Sequence, residues 1–291
     1  LPKGARPSVP RAKPAMADTA VPPTSKPEGV VPFGVLQPIA ARVLMKKLYG
    51  ARYARPDLLR AISALARKIT KWRPMQDAQL HRLVCYVNCT LHYRHVGWVG
   101  DSREELRLNL YSDADLASDP EDSVSTTGVY FEVSGPSTSM PLVSLSQKQT
   151  AVSYSTPEAE IVAAAKALRS FGVPALELWK LLLGHAPTIN FYEDNESAIR
   201  IFQTGRNPTM RHLGRTHRIS VAWLAERFAE ADFDLLKCPP EEMKADIYTK
   251  PFSDQKVGVW ESDLRLIRVG DPESFWKPPV SKDTGGGIPA D

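Results

Sequence analysis

From Leu106 onward the apolar residues of this chain stop recurring at helical spacing and begin to alternate. Three extended runs follow, at about 106–113, 127–133 and 141–147, before any helical pattern returns. A period of two marks strands, and the turn-rich links Asp119–Ser125 and Ser134–Ser139 join them into an antiparallel meander. The first run is the most telling. In Leu108–Asp115, Leu108, Leu110 and Ser112 take one face and Asn109, Tyr111 and Asp113 the other, and two carboxylates close the run. Those acids either open a turn or sit on rigid backbone as ligands.

The helical pattern resumes at Ser155-Thr-Pro-Glu158, where Thr156 is a suitable N-cap and Pro157 fits the first helical position. Ile161, Ala164, Ala165 and Leu168 form its inner stripe. Gly172-Val-Pro174 should break or kink the helix before Leu176–Leu183 resume. A fourth strand is expected at Thr188–Glu193, ending at Asp194, with a helix from Asn195. An amphipathic helix at Thr216–Glu230, a fifth strand at Asp232–Cys238 and a short helix at Glu241–Lys250 complete the order. Three hairpin-joined strands followed by strand–helix crossovers imply an α/β fold, a mixed five-stranded sheet flanked by helices.

Before the strands, residues 35–100 read as a small helical module. Ile39, Val43, Leu44 and Leu48 recur at helical spacing, and Leu58, Ile62, Leu65 and Ile69 follow Arg55-Pro-Asp57. A third helix runs at about Met75–Leu91 with Leu80, Leu83, Val84 and Val87 inward. Residues 1–34 are rich in Pro, Ala, Lys and Ser without apolar period and read as a disordered linker. Residues 253–291 read as a loose tail. The chain does not begin with Met, which suggests a fragment or a processed piece.

Charge is uneven. Residues 1–100 hold 17 Lys and Arg against 4 Asp and Glu, whereas 101–291 hold 20 against 29. A basic lead fits either polyanion binding or a solvated arm; the acidic remainder fits a carboxylate site. Cys85, Cys89 and Cys238 are too few for a disulfide framework, and the first two are expected to be buried thiols. No apolar run is long enough to span a membrane, and the first residues given, Leu-Pro-Lys-Gly-Ala-Arg-Pro, carry no apolar signal core, so secretion is not expected.

Four acids occupy comparable positions: Asp113 ends a strand, Glu160 lies near a helix start, Asp194 ends a strand and Asp246 lies in the last helix. Sites in open α/β sheets gather at such strand ends. Each acid also has a plain structural reading, as dipole partner, N-cap or surface charge. If they converge, their mutual repulsion calls for cations, and oxygen donors alone favour Mg²⁺ or Mn²⁺.

Five motifs occur in order: Tyr111-Ser-Asp-Ala-Asp115, Ser144-Leu-Ser-Gln-Lys-Gln149, Ser155-Thr-Pro-Glu-Ala-Glu160, Tyr192-Glu-Asp-Asn-Glu-Ser-Ala198 and Ala245-Asp-Ile-Tyr-Thr-Lys-Pro251. Together they resemble the ribonuclease H domain of copia-type (Pseudoviridae) LTR retrotransposon polyproteins, over about residues 106–252. The stretch before it, with Arg55-Pro-Asp57 and His81–Thr90, resembles the end of the reverse transcriptase of the same polyproteins. The resemblance implies a ribonuclease H-like fold that cleaves the RNA strand of RNA–DNA hybrids with two Mg²⁺ ions, Mn²⁺ serving as substitute. It places the catalytic, metal-holding acids at Asp113, Glu160, Asp194 and Asp246, with Asp113 and Asp194 as metal bridges. It also implies the reverse transcriptase portion as partner, no membrane, and an intracellular site in a cytoplasmic virus-like particle or the nucleus. No aromatic-x-Asp-Asp signature of a polymerase is present.

Substrate contacts are expected from the basic cluster Arg211, His212, Arg215, His217 and Arg218 through phosphates. Lys148 and Gln149 are further candidates. Ser112 and Asn195 are placed to read the RNA 2′-hydroxyl. The sequence departs from the family at Leu116, Ile161, Thr216–Ser220 and Gly172–Pro174, none of them a proposed ligand. These departures support a competing expectation, an inactive relic that binds nucleic acid without cutting it.

Overall fold

The structure is a computed structural model that describes residues 33–117 and 121–251 and the backbone of Leu266–Arg268. The linker expected at 1–34 and the tail expected at 253–291 therefore lie almost wholly outside the described residues.

A five-stranded sheet organises the rest. Its strands are β2 (Arg107–Asp115), β3 (Thr126–Gly135), β4 (Thr138–Lys148), β5 (Ile189–Glu193) and β6 (Phe233–Lys237), in the spatial order β4-β3-β2-β5-β6. The β2–β3 and β3–β4 pairs are antiparallel, and β5 runs parallel to both β2 and β6. This is the mixed five-stranded α/β sheet of the ribonuclease H-like fold.

Both faces of the sheet are covered, and the alternation along β2 serves both. Leu108 and Leu110 enter a core with Val129, Ile161, Phe191 and Phe202. That core lies under α4 (Thr156–Ala167), α6 (Glu196–Thr204) and α8 (Val221–Ala229). Tyr111 points the other way, into a second core with Tyr130, Tyr248, Leu44, Ile62 and Trp72. The second core is closed by α1 (Gln37–Tyr53), α2 (Leu59–Ala66) and α3 (Pro74–Cys89). Those helices are also bonded to the sheet: Ser63 Oγ donates to the Ser146 carbonyl at 2.8 Å, and Arg67 donates to Thr126 Oγ1 at 2.6 Å. At their centre Arg55 donates twice to the buried Asp57 carboxylate, at 3.0 and 2.7 Å, and also to Thr90 at the end of α3.

Several local expectations are corrected. Ser155, not Thr156, caps α4, accepting from Glu158 N–H, so Pro157 is the second helical residue. Gly172-Val-Pro174 does not break the helix. A π-helical turn at Leu168–Gly172 carries it into α5 (Val173–Leu183), and a wider turn accommodates the N–H that Pro174 lacks. A Cβ on Gly172 would lie 3.0 Å from Phe233 and 3.1 Å from Leu110, so glycine lets this turn press onto the core.

The helix expected from Thr216 starts instead at Val221. The short α7 (Leu213–Thr216) ends before Arg218, whose positive φ of 57° turns the chain, and Ser220 then caps α8. The last helix is two 3₁₀ turns, Pro240–Glu242 and Lys244–Tyr248, separated by an extended Met243. Ile39 and Val84, expected inward, are exposed. Cys85 and Cys89 are exposed on α3, and only Cys238 is buried. Within the tail expected to be loose, β7 (Leu266–Arg268) pairs antiparallel with β1 (Tyr93–His95). Among the described residues no helix is long and apolar enough to cross a membrane.

Candidate metal centre

The parallel pairing of β2 and β5 sets the C-terminal ends of both strands side by side. Asp113 lies near the end of β2, Glu193 is the last residue of β5, and Asp194 follows it. Helix α4 packs across β2 and carries Glu160. The Lys244–Tyr248 turn brings Asp246 in from the opposite side, packed on β2 and β3.

That approach depends on Gly128, the partner of Asp113 in the β2–β3 register. A Cβ at Gly128 would lie 2.7 Å from the Ala245 carbonyl and 2.8 Å from Thr249. Any side chain there would push the Asp246 turn off the sheet.

The carboxylates fall into two overlapping groups. Asp113, Asp194 and Asp246 each offer an oxygen within 4.8 Å of the others, and so do Glu160, Glu193 and Asp194. Asp194 belongs to both. Asp113, Glu160, Glu193 and Asp246 are all buried, and Asp194 is half-buried.

Burial of charge dominates the electrostatics. It pushes Asp113 up to about 7, with the charges of Asp246 and Asp194 adding and Lys250 and Thr249 opposing. Glu160 is held well above the usual carboxylate range by burial and by its neighbours Glu193, Asp113 and Asp194. Glu193 is held well above it by burial, against the N–H of Asn195. Asp194 is raised as well, chiefly by burial. Lys250 answers part of this charge: its Nζ pairs with Asp246 and lies 3.9 Å from Asp113. Burial disfavours its ammonium, but Asp113, Asp246 and Asp194 hold its pKa up. Thr249 donates its hydroxyl to Asp113. Oε2 of Glu160 and Oε2 of Glu193 are buried and make no hydrogen bond. Buried, unanswered carboxylate oxygens fit hard divalent cations.

The four acids named from sequence thus come together. Glu193 was missed. Its signal was phase: Ile189, Phe191 and Glu193 share the buried side of β5, where an acid is out of place.

The expected substrate contacts divide. Arg211, Arg215 and Arg218 are exposed. His217 is not; it is buried, its Nε2 is 3.6 Å from Glu158 Oε1, and burial lowers its pKa. His212 reaches the same oxygen at 3.0 Å. Gln149 is a buried brace, donating to Thr127 Oγ1 at 3.2 Å and to the Ala159 carbonyl at 3.0 Å. Ser112 is buried on the α4 side of β2, away from solvent. The Asn195 side chain caps α6, accepting from Ala198 N–H at 3.0 Å. Lys148 pairs with Asp122 at the rim of a groove of about 440 Å³, which Lys166 and Arg169 also line. Arg169 continues into a second groove of about 380 Å³ with Arg218 and Trp223.

No protein-family model matches the chain. Over 148 residues it is 34% identical to the retrovirus-related Pol polyprotein from transposon TNT 1-94 of Nicotiana tabacum, covering 49% of this chain and 10% of that protein. The resemblance to retrotransposon polyproteins is borne out. The chain spans about a tenth of the length of this curated relative. Among solved structures it is similar to LC11-RNase H1 isolated from compost, with 17% identity over 49% of this chain and 92% of that one, at a TM-score of 0.35. LC11-RNase H1 in complex with an RNA/DNA hybrid is similar with 16% identity over 52% and 99%, at a TM-score of 0.31.

Proposed function

We propose that this chain hydrolyses the RNA strand of RNA–DNA hybrids with two Mg²⁺ ions, as the ribonuclease H part of a copia-type retrotransposon polyprotein. The observation that carries the reading is the convergence of Asp113, Glu160, Asp194 and Asp246 at the ends of β2 and β5, with the buried Oε2 of Glu160 unanswered among them. The similarity to the tobacco polyprotein and the hybrid-bound state of one ribonuclease H neighbour agree with it. In this reading residues 106–252 form the nuclease, and the helices of 35–100 are the end of the reverse transcriptase, which is also the partner. The site of action is inside the cell, in a virus-like particle or the nucleus.

Asp194, common to both groups, would be shared between the ions. Asp113, expected from the resemblance to bridge as well, falls in one group only and would with Asp246 hold one ion, and Glu160 the other. Mn²⁺ would substitute in the same all-oxygen site. When bound, such ions polarise water for attack on phosphorus and stabilise the leaving oxygen. The protein's own contribution is orientation. Thr249 fixes the Asp113 carboxylate, and Lys250 limits the repulsion between Asp113 and Asp246. The exposed Arg211, Arg215 and Arg218, with Lys148, Lys166 and Arg169 along the grooves, would hold phosphates by charge. Asn195, next to Asp194, would sense the 2′-hydroxyl.

The test is Mg²⁺-dependent cleavage of a hybrid labelled on its RNA strand. Asp113→Asn and Asp194→Asn should each abolish it. Cleavage that survives both substitutions would overturn the reading. Tight hybrid binding by the wild type with no turnover in Mg²⁺ or Mn²⁺ would favour the inactive relic.

A further inference from the structure

We infer that Glu193 is a fifth metal ligand, which with Glu160 and Asp194 holds one divalent cation on the α4 side of the sheet. The inference rests on the two-metal reading above and extends it to a residue outside the four motif acids.

The two carboxylate groups differ in how their charge is answered. Asp113 and Asp246 have Lys250 between them and Thr249 donating to Asp113. Among the described residues, neither Glu160 nor Glu193 makes an ion pair. Glu193 Oε1 accepts from Asn195 N–H at 3.2 Å, which leaves Oε2 as the atom available to a ligand. That atom is buried and unbonded, and so is Glu160 Oε2. Both residues, with Asp194, bring oxygens within 4.8 Å of one another. Glu193 itself is completely buried.

Strand phase explains the geometry. On β5, Ile189, Phe191 and Glu193 face the core beneath the helices, whereas Tyr192 stacks on Tyr111 on the opposite face, ring centroids 4.5 Å apart. On β2, Asp113 shares the phase of Tyr111. Glu193 and Glu160 therefore approach Asp194 from the helix side of the sheet, and Asp113 and Asp246 approach it from the other. An isolated carboxylate in such a place is costly, and a second beside it more so. A hard cation with oxygen ligands at about 2.0–2.1 Å removes that cost for three carboxylates at once.

The experiment is titration of the intact chain with Mn²⁺ alone, without nucleic acid, followed by calorimetry and by the electron paramagnetic resonance of bound Mn²⁺. Wild type should bind two ions. Glu193→Gln should keep one ion and bind the other about tenfold or more weakly, while retaining its far-ultraviolet circular dichroism. Asp113→Asn should impair the ion that Glu193→Gln keeps, so the double variant should bind neither tightly. If Glu193→Gln binds both ions as wild type does, Glu193 is not a ligand and the two-metal reading stands. If the wild type itself binds no Mn²⁺, the two-metal reading falls and this inference falls with it. Should Glu193→Gln fail to fold, Glu193→Ser takes its place, with the same two-to-one change expected and the same unchanged stoichiometry counting against it.

Discussion

At the scale of single residues, the candidate centre works by holding acids where they are least at ease. Asp113 rises from an ordinary value of 3.8 to about 7, because burial opposes its charged form. Between those values the folded, metal-free protein keeps a proton that the unfolded chain has released. The stability from this group is therefore complete below the unfolded value and is lost as pH climbs through about 7. Glu160 and Glu193 shift in the same direction. Without metal, melting temperature should fall as pH rises from about 4 to about 7, and Asp113→Asn should flatten the decline. A wild-type curve that rises over that window, or a variant with an unchanged slope, would contradict this account. Gly128 makes a second prediction. Gly128→Ala must displace the Ala245 carbonyl or the strand, at a cost of about 1–3 kcal/mol in urea unfolding, and it should weaken Mn²⁺ binding as well. Asp113 was legible because it closes an alternating run. Glu193 was not, because beside the more conspicuous Asp194 an acid in a buried phase passes for part of the turn. Gln149 and His217 were misread because periodicity does not say where side chains at strand and helix ends will point.

At the scale of elements, strands were easier to read than helix ends. Period-two alternation located all five strands of the sheet, although β3 and β4 extend beyond their expected bounds. The start expected at Thr216 failed for a local reason: Arg218 reverses the chain with positive φ, and no Gly or Pro in Thr216–Ser220 marks the turn. Among the helices preceding the sheet, the Arg55–Asp57 pair carries the sharpest expectation. The Asp57 side chain is 1% exposed, and its removal leaves a guanidinium that is 13% exposed without its carboxylate. Asp57→Ala should destabilise the protein by about 3 kcal/mol in chemical denaturation. A change under about 1 kcal/mol would mean that Thr90 and the rings of Tyr86 and Tyr93 suffice to hold Arg55.

At the scale of the whole molecule, sequence periodicity showed which sides of α1–α3 are apolar but not what covers them. What covers them is the tyrosine face of the sheet. Arg60 marks where that packing reaches the carboxylates: its Nε donates to the Thr249 carbonyl at 2.9 Å, and Thr249 in turn donates to Asp113. Arg60→Ala should therefore reduce the thermal stabilisation that Mn²⁺ confers. An unchanged metal-induced shift in melting temperature would show that Thr249 holds its place unaided. The helices before Leu106 thus act as a splint for the face of the sheet that bears Asp113 and Asp246. A chain trimmed to the segment that bears all five acids would keep every carboxylate and lose the wall that sets two of them in place.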